Sequence, residues 1–221
     1  MKMEGKIGLE NISKFEDISA QLSNYDMRDL EIFSDLASNV NGDYLEIGSD
    51  QGGSAIRILQ QMPINRTLFC MDFWNWNNNY NIFCDNMKRH NKWHLVVPIV
   101  GDFRAKLQYF NIDQKFAFVF IDNDHTYSNT ALPVLYFWKK ISIGGYMLFH
   151  DYQHPSYPGV EEFLSLCAKE AWSDVVQDRW GLFCLRKKDN IPKVFFETIK
   201  MIFASRFAAD LPYLQEAIDK G

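Results

Sequence analysis

The chain has 221 residues, 47% hydrophobic and 23% charged, a composition typical of one globular domain with a full core. Its 23 Lys and Arg against 28 Asp and Glu give a formal net charge of −5, and no basic run stands out, so no nucleic-acid partner is expected. Neither a signal-peptide pattern nor a stretch of about 18 apolar residues occurs, so we expect no membrane span and a cytoplasmic protein.

Hydrophobic periodicity predicts helices near both ends of the chain and alternating strands and helices between them. A helical pattern from about residue 10 to 41 predicts one or two helices that end at Asn41-Gly42. The predicted strands lie around Leu45–Ile47 and at Thr67–Asp72, Leu95–Asp102, Phe116–Asp122, Tyr146–Asp151, Ser173–Val176 and Gly181–Arg186. Helices are predicted at about 54–61, 80–91, 104–110, 129–141 and 159–168, and again beyond Pro192.

Five strands that alternate with helices predict a doubly wound, mostly parallel α/β sheet. The short link Asp178–Gly181 predicts an antiparallel hairpin at one edge. Pro98 places the third strand near a sheet edge or at a bulge, and Gly144-Gly145 predicts a turn before the fifth strand. We divide the chain into an N-terminal helical extension (1–41), a catalytic-type domain (42–188) and a C-terminal helical extension (189–221).

The stretch Tyr44–Ser54 predicts a buried strand, a glycine turn and the start of a helix. Such a turn forms a nucleotide-sized site, because free N–H groups and the helix dipole point at a ligand above it. A pyrophosphate-binding turn would have G-x-G-x-x-G, but Glu46 precedes the first glycine and Asp50 replaces the second. Two carboxylates favour an ammonium or a ribose. Alternatively, the glycines only let the strand pack against the helix.

Acids stand at or beside the ends of five successive predicted strands, where ligands bind in such sheets. These residues are Glu46, Asp72, Asp102, Asp122 and Asp151, the last preceded by His150. The place of Asp72, one strand over from the glycine turn, favours contact with ribose hydroxyls. For Asp102, capping the following helix is an equal alternative.

Asp122 and Asp151 end neighbouring strands, so their carboxylates can converge and either share a proton or hold a hard cation such as Mg²⁺. His125 follows Asp122 by three residues and could remove a proton from a substrate hydroxyl. The alternative is a histidine that caps the next helix or bonds a loop carbonyl.

The turn E-x-G-x-x-x-G-G-S resembles the first motif of class I S-adenosylmethionine (SAM) dependent methyltransferases. The stretches Ile-Asp-x-Asp-His-x-Tyr at 121–127 and His-Asp-Tyr at 150–152 resemble small-molecule O-methyltransferases, a subgroup that includes macrolide sugar O-methyltransferases and the cephalosporin-pathway type. The resemblance covers about residues 40 to 190 and implies a Rossmann-like methyltransferase fold.

What the resemblance implies can be stated residue by residue. SAM would be bound by Glu46, Gly48, Ser49, Gly52, Gly53, Ser54, Asp72, Asp102, Phe103 and Asp122, with Phe103 along the adenine. Asp122 and Asp151 would hold Mg²⁺, and His125 would be the base. His150 departs from the pattern, since metal-dependent relatives have an acid there and imidazole suits Mn²⁺, Fe²⁺ or Zn²⁺ better. Three readings stay open: His150 turns away, the metal differs, or no metal binds and two histidines share the acid–base work.

The sequence therefore predicts a SAM-dependent O-methyltransferase that acts on a hydroxyl of a small molecule of sugar or natural-product type. The alternatives are an NAD(P)-dependent oxidoreductase and a non-catalytic SAM-binding partner subunit. Acceptor recognition would come from Phe73–Asn79, Tyr152–Pro158 and the terminal helices. Candidates for stacking on the acceptor are Trp74, Trp76 and Tyr157, with exposed or domain-packing aromatics as the equal alternative. The terminal helices could also serve a homodimer.

Overall fold

The structure, a computed structural model, describes residues 24–75, 78–106, 109–111 and 113–220. The predicted helical pattern before residue 24, and Trp76, lie outside this part of the chain. The strands are β1 (Asp43–Ile47), β2 (Leu68–Asp72), β3 (Val96–Val100), β4 (Phe116–Ile121), β5 (Ile141–Tyr152), β6 (Ser173–Arg179) and β7 (Gly181–Lys187). The α-helices are α1 (Asn24–Ala37), α2 (Gly53–Gln61), α3 (Asn79–Arg89), α4 (Phe103–Lys106), α5 (Tyr127–Phe137), α6 (Pro158–Cys167), α7 (Lys193–Arg206) and α8 (Leu211–Lys220).

The seven strands form one sheet in the order β3-β2-β1-β4-β5-β7-β6. Strands β1 to β5 pair in parallel, whereas β7 pairs antiparallel with both β5 and β6. The predicted doubly wound sheet with an antiparallel hairpin at one edge is confirmed. Strand β3 lies at the opposite edge of the sheet. This position suits Pro98, because proline has no backbone N–H and an edge strand needs hydrogen bonds to only one neighbouring strand.

Helices cover both faces of the sheet because its strands are apolar on both sides. Every residue of β4 is buried, as a central parallel strand requires. On one face the strands pack against α1, α2 and α3, and on the other against α5, α6, α7 and α8. The C-terminal helices thus share the core of the sheet, and the division of the chain at residues 41 and 188 stays a prediction. Within the described residues, no helix combines the length and apolarity needed to cross a membrane.

The turn predicted at Gly144-Gly145 is wrong, because both glycines lie inside β5. Phe116 of β4 pairs with Ile141 and Phe118 pairs with Tyr146, so β5 advances five residues while β4 advances two. The additional residues bulge out of the ladder. Gly144 has a φ of +83°, and a Cβ on Gly145 would lie 2.9 Å from the Ala117 carbonyl oxygen. The glycines therefore mark a bulge inside the strand.

Candidate functional site

The carboxyl ends of four parallel strands form a row. Ile47 pairs with Met71 on one side and with Ile121 on the other, and Ile121 pairs with Phe149. The residues that follow these four are therefore aligned at one edge of the sheet. They are Gly48, Asp72, Asp122 and His150. The sheet register brings together residues that the sequence placed at strand ends.

A cavity of about 320 Å³ opens above this row. It is lined by Gly48, Ser49, Asp50, Gln51, Gly53, Ser54, Asp72, Asp122, His125, His150, Asp151, His154 and Tyr157. These lining residues include four aspartates and three histidines, with no lysine or arginine among them. The cavity is suited to a cationic or neutral ligand more than to a phosphate.

Most of the predicted site residues line this cavity, but four do not. Glu46 and Gly52 lie beneath the turn, where Glu46 is fully buried. Asp102 accepts three hydrogen bonds at 3.0, 2.9 and 2.6 Å from the Arg104 side chain and one at 2.9 Å from the Arg104 backbone N–H. Phe103 is buried in the core. Asp102 thus caps α4 by accepting the Arg104 backbone N–H, which was its alternative role. The cofactor contacts of these four residues stay predictions.

Gly48 illustrates the packing role of the turn. Its φ is +97°, and a Cβ there would lie 1.9 Å from the carbonyl oxygen of Asp122. Its N–H donates to the Met71 carbonyl at 2.8 Å. Gly52, with a φ of +88°, begins α2. Gly48 is therefore needed for packing, which was the alternative role of the glycines. The absence of a side chain at Gly48 lets the end of β1 lie against the end of β4.

Asp72 is held in place by the loops on either side of it. Its Oδ2 accepts the N–H of Asp50 at 3.0 Å, and its Oδ1 accepts the N–H of Trp74 at 2.7 Å. The Trp74 indole N–H donates in turn to the Asp50 carbonyl at 2.6 Å. A carboxylate oxygen can accept more than one hydrogen bond, so each still has capacity for a ribose hydroxyl. Burial, and next the charge of Asp72, raise the pKa of Asp50. A cationic ligand would relieve that repulsion.

Glu46 carries its carboxyl group into the core on the side of α2. The Ser54 hydroxyl donates to its Oε1 at 2.5 Å, and the Cys70 thiol lies 3.7 Å from its Oε2. Burial raises the pKa of Glu46 to about 7, although the hydrogen bond from Ser54 acts in the opposite direction. The carboxyl group is thus half-protonated near neutral pH.

We expect Glu46→Gln to remove a pH dependence from the stability of the ligand-free chain. Because the pKa of Glu46 is raised from 4.5 to about 7, the folded state binds more protons than the unfolded state between these values. The free energy of unfolding should therefore fall as pH rises through this window, by up to about 3 kcal/mol. Urea unfolding at pH 5, 6, 7 and 8 would measure it. If the free energy of unfolding depends on pH in the same way in wild type and Glu46→Gln, the pKa of Glu46 is not raised by burial.

Two acids and two histidines form a compact cluster at the ends of β4 and β5. His125 Nε2 lies 3.2 Å from Asp122 Oδ1 and 3.0 Å from Asp151 Oδ2. His150 Nδ1 lies 3.1 Å from the same Asp122 oxygen and 3.2 Å from the same Asp151 oxygen. All four ligand atoms lie within 4.8 Å of one another. Two oxygens and two nitrogens therefore converge on one point.

A bulge in β5 makes this convergence possible. Successive residues of a regular strand point to opposite faces, so His150 and Asp151 would diverge. The pairing of β5 with β7 shifts between His150 and Tyr152, and Asp151 has a left-handed φ of +58°. This conformation turns the Asp151 carboxylate back toward His150. A left-handed non-glycine residue beside a cavity is typical of functional sites.

In the cluster, the acids stabilise the charged form of the histidines, and the histidines stabilise the charged form of the acids. Burial alone would lower the pKa of both histidines, but hydrogen bonds and the charges of Asp122 and Asp151 raise it to about 9 for His125 and about 10 for His150. Burial opposes ionisation of the acids as well, yet the two imidazoles hold the pKa of Asp122 and of Asp151 below its usual range.

The donor set also fits a divalent cation. Ligand atoms about 2.0–2.2 Å from a metal lie about 3 Å from one another. The four distances between a histidine nitrogen and a carboxylate oxygen in the cluster are 3.0 to 3.2 Å. Two imidazoles beside two carboxylates favour Mn²⁺, Fe²⁺, Co²⁺ or Zn²⁺ over Mg²⁺. His150 faces the acids, so the reading in which it turns away is not the arrangement in this structure. Thr126 caps α5 by accepting the Asn129 N–H, so His125 is not the cap.

Three residues near the cluster, namely Asp26, His154 and Trp180, are not singled out by the sequence analysis, although His154 lies in the stretch Tyr152–Pro158 that is predicted to recognise the acceptor. His154 and Trp180 extend a series of rings outward from the cluster. The ring centroids of His125 and Tyr157 are 4.6 Å apart, those of Tyr157 and His154 are 4.9 Å apart, and those of His154 and Trp180 are 6.1 Å apart. We call these four residues the aromatic column. Trp180 stands in the hairpin link with 58% of its surface exposed. The exposed tryptophan in a tight turn was the signal available in the sequence.

Comparison with known proteins gives a family for the central segment. Residues 45–152 match a family described as a methyltransferase domain. This segment runs from β1 to the end of β5 and contains the glycine turn and the four-residue cluster. Among curated proteins, no significant match was found.

Solved structures share the fold. The O-methyltransferase from Bacillus cereus, solved with SAH, is 18% identical with a TM-score of 0.59, over 77% of this chain and 84% of its own. TomG from Streptomyces achromogenes, an O-methyltransferase of tomaymycin synthesis solved with SAM, is 20% identical with a TM-score of 0.57, over 76% and 82%. CalS11, a TDP-rhamnose 3′-O-methyltransferase of calicheamicin biosynthesis, is 19% identical with a TM-score of 0.61, over 76% and 82%.

The sheet order and the glycine turn agree with the match of residues 45–152 to a methyltransferase domain, and all three are consistent with a class I SAM-dependent methyltransferase. The resemblance predicted from the sequence is confirmed.

Proposed function

We propose that this chain transfers the methyl group of SAM to a hydroxyl of a small molecule, with the help of a divalent cation and a histidine base. The observation that carries the proposal is the Asp122, His125, His150 and Asp151 cluster in the same cavity as the glycine turn. Methyl transfer needs a donor and a nucleophile held in line, and a hydroxyl is a weak nucleophile until its proton is removed. The cluster supplies groups for that removal next to the donor site.

Each part of the cavity has a distinct task. The turn from Gly48 to Ser54 and the acid Asp72 bind and orient the donor, whose ammonium and ribose suit acids. Asp122, Asp151 and His150 would hold the cation. When bound, SAM supplies an electrophilic methyl group, and a divalent cation lowers the pKa of a hydroxyl beside it. We expect Mn²⁺ or another transition metal to bind in preference to Mg²⁺, because the imidazole of His150 is a poor ligand for Mg²⁺.

His125 could serve either as a fourth ligand or as the base, and we assign it the base. Two negative acids are what raise its pKa to about 9. A cation between those acids would cancel their charge, and the imidazole would then be neutral near pH 7 and able to accept a proton. His125 is also the more exposed of the two histidines, with 18% of its side chain accessible against 10% for His150.

For the acceptor, we infer a neutral compound that carries a ring. The aromatic column offers stacking faces that begin at His125 itself, which suits a sugar or an aromatic ring. The described lining of the cavity offers four aspartates and no lysine or arginine for a phosphate. This sets the inferred acceptor apart from the nucleotide sugar named for CalS11. Catechols, flavonoids and unphosphorylated glycosides are therefore the compounds to test first.

Calorimetric titration tests the proposal against its alternatives. We expect SAM to bind and NADPH to fail, and methyl transfer from labelled SAM to a neutral hydroxyl compound to fall when a chelator is added. Binding of NADPH without SAM would favour the oxidoreductase alternative, which the acids in the cavity disfavour. Binding of SAM with no transfer to any hydroxyl or amine compound would favour a non-catalytic partner subunit.

We expect Trp180→Ala to weaken acceptor binding alone. Loss of one stacking face should raise the acceptor KM about 3- to 10-fold, while kcat and the Kd for SAM stay within about twofold. Trp93→Ala is the matched control, since Trp93 is also exposed but precedes β3, at the opposite edge of the sheet. An unchanged acceptor KM in Trp180→Ala would exclude the outer end of the column from the acceptor site.

A further inference from the structure

Asp26 is a buried acid that neither the glycine turn nor the cluster explains. It lies in the first turn of α1 and is 4% exposed. Burying a carboxylate is costly unless charged or donor groups compensate it. Asp26 precedes the segment that matches the methyltransferase domain family, which begins at residue 45. The N-terminal helix therefore brings a charge of its own against the core domain.

Two cationic or titratable groups face this acid. Asp26 Oδ1 accepts a hydrogen bond from Arg179 Nη2 at 3.0 Å, and Asp26 Oδ2 lies 3.8 Å from His150 Nε2. Gly181 makes room, because a Cβ there would lie 3.0 Å from Asp26 Oδ1. Arg179 and Gly181 flank the hairpin link, so α1, β5 and the hairpin meet at this carboxylate.

The two nitrogens of His150 therefore face acids on opposite sides. Nδ1 faces Asp122 and Asp151, and Nε2 faces Asp26. A histidine that ligates a metal through one nitrogen almost always gives its other N–H to a carboxylate or carbonyl, which fixes the ring and makes it a better ligand. Asp26 Oδ2 lies on the side of that second partner, 3.8 Å from His150 Nε2, and a small movement of either side chain would bring the two into hydrogen-bond distance.

We propose that Asp26 is a positioning residue for His150, so that α1 completes the metal site from outside the family segment. The inference rests on the proposed function, since it assumes a cation at the cluster. Arg179 fixes Asp26 from the other side and offsets its charge. Asp26 directs His150 Nδ1 toward Asp122 and Asp151, and the hairpin and α1 act together to keep it there.

Titration of the purified full chain with Co²⁺ tests this, by calorimetry and by visible absorption, which reports the ligands around cobalt. We expect Asp26→Asn to weaken Co²⁺ binding about 10- to 100-fold and to change the absorption bands. Asp29→Asn is the matched control. Asp29 accepts from the same Arg179 at 2.7 and 2.8 Å, and within the described residues no contact joins it to His150. Its Co²⁺ affinity should stay within about threefold of wild type.

Two further variants distinguish a loss of folding from a loss of His150 positioning. Asp26→Glu restores a carboxylate and should recover most of the affinity. If Asp26→Asn does not fold, the pair Asp26→Asn with Arg179→Gln also removes the cation that had faced Asp26 and should show the same weakening. Wild-type affinity and an unchanged spectrum in Asp26→Asn, or in that pair, would overturn the role of Asp26 alone. Failure of the wild-type chain to bind Co²⁺ would overturn the cation in the proposed function, and the role of Asp26 with it.

Discussion

His125→Ala should lower kcat about 100- to 10,000-fold, while the affinities for SAM and for the cation stay within about threefold of wild type. The size of the loss is that expected for removing a general base. The cation affinity should persist because Asp122, Asp151 and His150 keep the three ligand atoms that converge without it. Steady-state kinetics with an acceptor found among the neutral hydroxyl compounds, together with calorimetry, would measure all three quantities.

The outcome separates the two roles open to His125. If His125 is a fourth ligand, the cation affinity should fall together with kcat. Full activity in His125→Ala would refute both roles. His154→Ala is the comparison within the same cavity, since its ring stacks 4.9 Å from Tyr157 and belongs to the aromatic column. It should raise the acceptor KM and leave kcat within about fivefold.

The sequence was sufficient to place the acids at strand ends, because their position depends only on where apolar runs stop. Parallel strands that begin and end in step then align those ends, as the pairing of Ile47 with Met71 and Ile121 confirms. The short link Asp178–Gly181 predicted the hairpin, and Pro98 itself indicated an edge strand. These features need no knowledge of side-chain direction.

Features that depend on local departures from regular backbone were not predictable in the same way. Alternation along a strand would have separated His150 from Asp151, and the bulge that reunites them depends on the pairing of β5 with β7. The extra residues around Gly144 likewise reflect a mismatch with β4, whereas a glycine pair in sequence looks the same in a turn and in a bulge. Both bulges are properties of the assembled sheet.

Long-range contacts were the other source of error. Asp26 lies 124 residues before His150 in the chain, and no motif links them, so only the folded structure brings them together.

Asp102 is the opposite case, because its partner is close in sequence. The capping alternative was visible in the sequence, and Arg104, two residues further on, offered a guanidinium to pair with the carboxylate. An acid with an arginine or lysine a few residues away in sequence can pair with that residue, and this pairing should be considered before the acid is assigned to a ligand.

Gly48→Ala should destabilise the protein by about 3 kcal/mol or more, or prevent folding. The new Cβ would lie 1.9 Å from the Asp122 carbonyl oxygen, far inside contact distance, and the φ of +97° is itself unfavourable for alanine. Left-handed backbone costs about 1–2 kcal/mol and overpacking about 1–3 kcal/mol. Urea unfolding of the ligand-free chain would measure the sum.

Gly144→Ala separates these two contributions. Gly144 also has a left-handed φ, +83°, but the nearest atom to a Cβ there is the end of the Arg186 side chain at 3.7 Å. Only the backbone cost of about 1–2 kcal/mol should remain. Similar losses in the two variants would mean that β1 and β4 can separate freely at Gly48. That result would weaken the site itself, because the Asp122 N–H donates to the Ile47 carbonyl at 2.8 Å, immediately before the glycine. The backbone that forbids a side chain at Gly48 is the same backbone that fixes Asp122 in the cluster.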